Sequence, residues 1–482
     1  MRSNHSRGQG RLAGLSRAVV AVGVATLFAM AVAPTTSHAQ SAAGAAPATF
    51  TKDIAPILQR SCQSCHHPNS VAPMSLMTYE EVRPWARSIK LRTGQRSRPD
   101  AMPPWYIEKD SGIQQFQDDM SLSDAEIAKI AAWVDSGAPR GNPADEPKAL
   151  SFANEGEWRF GKPDLVVSTK TLDVVAGSPD WWGPIGDALT GLTEDRYVSS
   201  VEVREINNAE AKSERQTIGG RYVFHHLVYI TTGPNGEMDA NSAVWPPHSV
   251  GRNADVFDPD SGRLLKAGSK VVFNSAHMHS RGSDTKAHVE IGFKFHPKGY
   301  KPKKVLRGGY GGAVYDLDIR GNEANQKFEA FSTLMDNTKL IAYEPHMHAA
   351  GVRMCLEAIW GSVVETINCS GYNHSWVRTY NYTEDSAPLL PKGTILRLTG
   401  YFDNTPANKN VSDPRNWQGM GHRSMDNMMF NLGEGYSLSD EEFQQEIAKR
   451  RERLKLKPGQ VVPGCPLCAV SRPTTATAQQ NQ

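Results

Sequence analysis

The sequence predicts a multidomain protein in which a small all-α domain precedes two all-β antiparallel sandwich domains. Helical periodicity dominates residues 49–140. After residue 150, short runs rich in Val, Ile, Tyr, Phe and Thr alternate with Gly, Pro and Asn clusters, which is typical of antiparallel sandwiches rather than βαβ units. Because this part of the chain is too long for one ordinary sandwich, we expect two, at 150–320 and 325–460.

Residues 1–39 have the layout of a secretory signal peptide. Arginines precede an apolar run at 18–34 that no acidic residue interrupts, and Ser37-His38-Ala39 offers a cleavage point. At ~1.5 Å per residue the run spans roughly 25 Å, which is shorter than the ~30 Å hydrocarbon core of a bilayer. We therefore predict a periplasmic or secreted protein with no stable membrane span after cleavage, and a disordered tail at 470–482.

Two helices and six strands have clear sequence signals. Capping boxes that begin at Ser123 and Ser439 predict helix starts, the first helix ending near Gly137 and the second near Leu454. The predicted strands are at 165–168, 197–203, 222–231, 270–275, 288–295 and 395–402.

The balance of charged residues gives no reason to expect a nucleic-acid partner. The chain has 53 Lys and Arg residues against 51 Asp and Glu residues, a formal net charge of only +2. Binding to phosphate backbones or to anionic membrane surfaces requires clustered positive charge, which this balance does not indicate.

Cys62-Gln63-Ser64-Cys65-His66 is a C-x-x-C-H motif within the predicted helical domain. Two thiols at this spacing can form thioether links to haem, and the adjoining histidine supplies a proximal iron ligand. The motif therefore predicts one covalent c-type haem held by Cys62, Cys65 and His66. The alternative is a redox or disulfide C-x-x-C pair that precedes a histidine by chance.

The sixth iron ligand is predicted to be Met102, in a loop stiffened by two prolines. Met74 and Met120 are the other candidates, although Met74 follows the motif too closely to reach the opposite haem face easily. Residues 49–140 resemble a small class I cytochrome c domain, whose closing helix matches 123–137.

Four motifs rich in histidine or methionine stand out in the second half of the chain. They are His225-His226, His277-Met278-His279, His346-Met347-His348 and Met425-Asp426-Asn427-Met428-Met429. Residues i and i+2 of a strand point to one face, so His346 and His348 can share a metal ion, as can His277 and His279.

The adjacent pair His225 and His226 needs a different backbone geometry. Neighbouring side chains of a regular strand point to opposite faces, so both can bind one ion only near a strand end or a bulge. Imidazole suits Cu, Zn, Fe and Ni, while a thioether ligand favours copper. The combination predicts copper, and the methionines argue against zinc or a purely structural histidine cluster.

The order of these motifs resembles the copper type II, ascorbate-dependent monooxygenases, the peptidylglycine and dopamine β-hydroxylating family. The resemblance covers about 160–435 and implies two jelly-roll-like sandwiches, each holding one copper across a solvent cleft. It implies a first, electron-transferring copper bound by His225, His226 and His277, with His279 as the alternative third histidine.

The same resemblance implies a second, dioxygen-activating copper bound by His346, His348 and Met428. Met425 and Met429 remain alternative sulfur ligands. The implied function is hydroxylation of an unidentified small-molecule or peptide-like organic substrate with O2, the haem passing electrons from an external donor to two copper ions. The alternative is a non-catalytic electron-transfer or copper-binding protein.

The remaining cysteines predict two local disulfides. A turn near Ser362 would pair Cys355 with Cys369 across a hairpin, because both lie seven residues from its centre. Cys465 and Cys468 lack a following histidine, so a disulfide is favoured there over a metal or a second haem.

Overall fold

The computed structural model describes residues 47–469 except 69, 97, 99, 153–156, 209–221, 239–244, 250–253, 311–315 and 424. The predicted signal peptide at 1–39 and the predicted tail at 470–482 lie outside the described residues. Antiparallel sheets make up most of the described secondary structure, and the helices are few. The prediction of antiparallel β structure after residue 150 is confirmed.

The first region is mainly helical and has its own apolar core. Its elements are α1 (Ala55–Ser61), α2 (Tyr79–Val82), α3 (Ala86–Gly94), β1 (Ile107–Gly112) and α4 (Asp124–Asp135), with shorter helical turns at Phe50–Ile54, Arg83–Trp85 and Pro143–Asp145. The predicted capping box starts α4, because Ser123 and Glu126 each accept a hydrogen bond from the other's backbone N–H. Phe50, Leu58 and Trp133 are buried in this core, where α4 packs against α3 and the helical turn at Phe50–Ile54.

Strand β1 interrupts the all-helical pattern expected for residues 49–140. It pairs antiparallel with β19 (Val363–Gly371), Ile107 lying opposite Ser370. Trp105, Ile107 and Phe116 belong to the core of the second β region rather than to the helical core. This pairing joins residues more than 250 positions apart, and local periodicity carries no information about such partners.

The first β region is a sandwich of two antiparallel sheets. Its strands are β2 (Leu165–Ser168), β3 (Leu172–Val174), β4 (Trp181–Gly183), β5 (Gly186–Leu189), β6 (Arg196–Asn207), β7 (Phe224–Thr232), β8 (His248–Ser249), β9 (Ala254–Val256), β10 (Arg263–Leu265), β11 (Lys270–Met278) and β12 (Thr285–Phe295). One sheet has the order β10-β6-β12-β2 with β3 and β9 at its sides, and the other has β4-β11-β7-β8 with β5 beside β11. Alternate residues such as Val201, Ile291, Tyr229 and Phe273 fill the core between them.

The second β region surrounds the largest apolar core of the described chain. Its strands are β13 (Val305–Gly308), β14 (Glu323–Thr333), β15 (Asn337–Leu340), β16 (Ala342–Tyr343), β17 (Pro345–Met347), β18 (Gly351–Trp360), β19, β20 (Tyr380–Asn381), β21 (Leu389–Leu390), β22 (Ile395–Asn404), β23 (Met429–Asn431) and β24 (Glu434–Leu438), followed by α5 (Asp440–Arg453) and a helical turn at Pro466–Cys468. The main sheets are β1-β19-β18-β22-β14 and β13-β24-β15-β21, and the pairs β16–β20 and β17–β23 complete the region.

All six predicted strands are present, and the two regions divide earlier than expected. Strand β13 pairs with β24, so residues 305–308 belong to the second region although the predicted boundary lies between 320 and 325. The Gly-rich sequence that follows β13 is typical of a linker and gives no sign of the pairing. The pairing of β13 with β24 joins residues that are far apart in the chain.

Both predicted disulfides are present. Cys355 and Cys369 lie opposite each other on β18 and β19 and are bonded, as are Cys465 and Cys468. Within the described part of the chain, none of the helices has the length and apolar character needed to cross a membrane.

Candidate metal centre

A β-bulge brings His225 and His226 to one site. His226 lies opposite His277 in the β7–β11 pairing, whereas Phe224 lies opposite Met278, so His225 is the extra residue of a bulge. The pleat is therefore broken at the position where two adjacent histidines require it. The His277 ring lies 5.0 Å from the His225 ring and 5.6 Å from the His226 ring, between centroids.

His279 joins the same cluster from the end of β11. Its ring centroid lies 4.0 Å from that of His225. His277 neighbours both adjacent histidines and His279 neighbours one, so His277 is the better-placed third imidazole and His279 stays an alternative. We call His225, His226, His277 and His279 the first histidine group.

Two side chains that were not predicted from the sequence, those of Asp180 and Trp182, hold the ring of His277 in place. Its Nε2–H donates a hydrogen bond to Asp180 Oδ2 at 3.0 Å, and Trp182 stacks on its ring at 4.7 Å. The donating Nε2 leaves the lone pair of a neutral ring on Nδ1, which is buried and has no hydrogen-bond partner in the described structure. This is the usual arrangement of a metal-binding histidine oriented by a carboxylate.

The ladder between β17 and β23 brings one candidate methionine next to the second histidine pair. His346 lies opposite Phe430, and Met347 lies opposite Met429. His348 directly follows β17 and Met428 directly precedes β23, so the two residues adjoin the same end of this two-stranded ladder.

The neighbouring methionines lie elsewhere. Met347 and Met429 are buried in the core, where both side chains pack against Gly400. Met425 is 50% exposed. Met428 is buried and adjoins His348 at the end of the ladder, so it stays the preferred candidate among the three.

His346 and His348 form the second histidine group. Their ring centroids are 5.3 Å apart, as expected for residues i and i+2 of a strand. His348 Nδ1–H donates to the backbone carbonyl of Asp426 at 3.2 Å, which leaves its Nε2 as the available metal-binding atom.

A further histidine lies between the two groups. The His374 ring is 6.1 Å from the His226 ring and 6.0 Å from the His348 ring, between centroids. It follows β19 as a lone histidine in Asn373-His374-Ser375, so no spacing in the sequence pointed to it.

Burial keeps five of these imidazoles uncharged at neutral pH. Desolvation, reinforced by neighbouring histidines, lowers the pKa of His225 and of His346 to about 3. The pKa values of His348 and His374 fall to about 4, again mainly through burial. The pKa of His226 is also well below its ordinary value for the same reason. Neutral imidazole is the form that binds metal ions.

The side chains do not already form a closed cage. Among the residues that the structure describes, no three His, Cys, Asp or Glu side chains converge closely enough to hold an ion as they stand. What the fold provides is neutral rings at neighbouring positions, and ring rotation is still needed to point their nitrogens at one centre.

The C-x-x-C-H motif differs from the other C-x-x-C pair. Cys62 and Cys65 are free thiols, whereas Cys465 and Cys468 are bonded to each other. His66 is buried, and its Nδ1–H donates to the Met74 carbonyl at 3.0 Å, which leaves Nε2 available to iron.

The structure places the candidate sixth ligands in different surroundings. Met102 is 42% exposed and lines a cavity of about 210 Å³ with Leu122 and Ile127. His66 is not among the residues that line this cavity. The backbone carbonyl of Met74 accepts the hydrogen bond from His66 Nδ1, and Met120 packs against the core of the second β region.

The chain matches no known family model and no curated protein. Among solved structures, it is similar over part of its length to infectious bursal disease virus, Gx strain, with 7% identity, 56% of this chain and 71% of that chain covered, and a TM-score of 0.15. The Gt strain of the same virus matches with 9% identity, 61% and 91% coverage, and a TM-score of 0.15.

Proposed function

We propose that this protein is an exported, haem- and copper-dependent monooxygenase that hydroxylates an organic substrate with O2. The observation that carries the proposal is the gathering of five histidines from separate strands of two β regions at neighbouring, buried or half-buried positions: His225, His226, His277, His346 and His348. The resemblance to the copper type II, ascorbate-dependent monooxygenases gives these positions their roles.

The residues of both groups fit copper. The imidazoles of the first group suit either oxidation state, and a sulfur ligand from Met428 together with two imidazoles would favour Cu(I) in the second. The buried, unpartnered Nδ1 of His277 is a donor atom that the protein alone leaves unsatisfied. Copper held here would supply one-electron chemistry and the site of dioxygen reduction.

The protein's own side chains contribute orientation and exclusion of water. The Asp180 carboxylate fixes the tautomer and direction of His277, and the Asp426 carbonyl does the same for His348. Partial burial keeps the rings of His225, His346 and His348 unprotonated and limits competing reactions with bulk water.

The residues around Cys65 fit a covalent haem. Besides its two free thiols and oriented histidine, the motif lies near the guanidinium groups of Arg159 and Arg378. Both arginines line a cavity of about 900 Å³, to which Cys62, Cys65 and His66 do not contribute. The buried Nε of Arg378 has no hydrogen-bond partner in the described structure, and guanidinium groups suit the two carboxylates of haem. Haem bound there would supply electrons singly.

A short connection links the loop that carries Met102 to His374. Tyr106 lies four residues after Met102, and its hydroxyl accepts a hydrogen bond at 3.2 Å from the amide Nδ2 of Asn373, the neighbour of His374. Tyr106 also accepts a backbone hydrogen bond from Gly371. The chain thus provides a path of covalent bonds and one hydrogen bond along which electrons would pass.

Metal counting and oxygen uptake test the proposal. Protein matured with haem and loaded with copper should contain one haem and two copper ions per chain, by pyridine haemochrome and elemental analysis. At most one copper per haem would contradict the scheme. With ascorbate as donor, 18O2 uptake should be coupled to labelled product from a panel of glycine-ended peptides and phenylethylamines.

A double variant supplies the matched comparison. His346→Ala with His348→Ala should abolish coupled uptake, whereas His288→Ala, a histidine beside Glu290 on β12 and outside both groups, should retain it. Reversible haem and copper redox cycling with no labelled product from any substrate would instead favour an electron-transfer protein.

A further inference from the structure

His374 is the one ring in the described structure that neighbours both histidine groups. Its centroid lies 6.0 Å from His348 in the second group and 6.1 Å from His226 in the first. Its Nδ1 is buried and has no hydrogen-bond partner in the described structure. Buried imidazole nitrogens are normally satisfied, so an unpartnered one beside other imidazoles indicates a missing ligand.

The ring separations match those of imidazoles that share an ion. A metal–nitrogen distance of about 2.0–2.1 Å puts each ring centroid roughly 3.2 Å from the ion, so two rings on one ion have centroids about 4.5–6.4 Å apart. The pair His348–His374, at 6.0 Å, falls within this range, as does His346–His348 at 5.3 Å.

The number of donors in each group decides where His374 belongs. The first group already has the three imidazoles that the resemblance assigns to its copper, those of His225, His226 and His277, with His279 as the alternative to His277. The second group has only two imidazoles and the sulfur of Met428. A third imidazole would complete it and would also improve its affinity for Cu(II), which a thioether serves poorly.

We infer that His374 is a further metal-binding residue, the third imidazole of the second copper site alongside His346, His348 and Met428. The inference rests on the proposed function, which assigns copper to the second group. It goes beyond the family pattern, in which that copper has two histidines and one methionine.

The test uses full-length, haem-loaded protein in which the first group is disabled by His225→Ala and His226→Ala, so that copper binds only at the second site. In this background, adding His374→Ala should weaken Cu(II) binding at least about 10-fold, the loss typical when support of a metal ligand is removed. Adding His288→Ala instead should leave the affinity unchanged. Unfolding curves establish that each variant is folded.

Two readouts separate a ligand from a structural residue. Electron paramagnetic resonance should show fewer coordinated nitrogens in the His374→Ala protein than in its parent. Free imidazole added to a His374→Gly protein should restore the lost affinity, because it can occupy the vacated position.

Unchanged Cu(II) affinity and an unchanged nitrogen count after His374→Ala would overturn the inference while leaving the proposed function intact. A loss confined to the reciprocal background, His346→Ala with His348→Ala, would also overturn it by assigning His374 to the first group. If protein with both groups intact binds no copper, the proposed function itself fails.

Discussion

The two histidine groups bring imidazoles together through different backbone devices. In the first group a bulge at His225 lets adjacent residues face the same neighbour, His277, across one sheet. In the second, the ordinary two-residue period of a strand suffices for His346 and His348. The anchors differ too, because a carboxylate orients His277 and a backbone carbonyl orients His348.

The first group is therefore oriented by a side chain, which mutation can replace. The second is oriented by a backbone carbonyl, which mutation cannot remove. Removing one carboxylate should therefore loosen the first group selectively. The second group is best tested by replacing Met428, its candidate sulfur ligand.

The largest effect is expected at that sulfur. Met428→Leu should lower coupled oxygen uptake by more than about 100-fold, because leucine lacks the sulfur atom that the proposed second copper site requires. Its cost in unfolding free energy should stay below about 1.5 kcal/mol, since the two side chains have similar volumes. Oxygen-electrode rates and urea unfolding curves measure the two quantities.

Met429→Leu is the matched control for this substitution. It changes the adjacent residue in the same way, but Met429 points into the core beside Gly400. It should cost a similar free energy and leave the rate of oxygen uptake nearly unchanged. Equal loss of activity in both variants would show that Met428 acts through packing alone.

A smaller effect is expected at the anchor of the first group. Asp180→Asn should weaken copper binding at the first group by roughly 10–100-fold, as is typical for loss of a carboxylate that orients a metal-binding histidine. Titration with a copper chelator measures this affinity.

Asp187→Asn, which alters an exposed carboxylate on β5 near Lys270, is the control and should leave both sites unaffected. An equal weakening of the second group in Asp180→Asn would argue against separate anchoring of the two groups.

The smallest effect is a pH dependence of the copper-free protein. Unfolded histidines take up protons near pH 6.5, whereas His346 and His348 remain neutral in the folded state because burial lowers their pKa values to about 3 and about 4. The unfolded state therefore binds more protons as the pH falls below 6.5, and the free energy of unfolding should decrease.

Denaturant unfolding between pH 6.5 and 5 measures this decrease in a window where most carboxylates stay ionised. The double variant His346→Gln with His348→Gln should show a shallower decrease than the natural sequence. Parallel curves for the two proteins would mean that these histidines are accessible to protons in the folded state.

Local sequence signals were sufficient for much of the fold. The capping boxes predicted the starts of α4 and α5, and short runs rich in Val, Ile, Tyr, Phe and Thr predicted six strands. The symmetry of Cys355 and Cys369 about a turn predicted their bond. The pleat alone also predicted that His225 and His226 could share an ion only near a strand end or a bulge.

Long-range pairings escaped prediction. Strand β1 lies within the segment expected to be all-helical, and β13 belongs to the second β region rather than the first. Asp180, Trp182 and His374 carry no local signal, because each is a single residue whose partner lies far along the chain.

The residue types and their short-range spacing set which donor atoms this protein has and which face of a strand they occupy, because the pleat and the helical turn repeat over a few residues. Which donors become neighbours, which methionine adjoins the histidines, and which carboxylate holds an imidazole depended on packing between distant segments. Burial of apolar surface, which has no directional preference of its own, selects those partners from the whole chain at once.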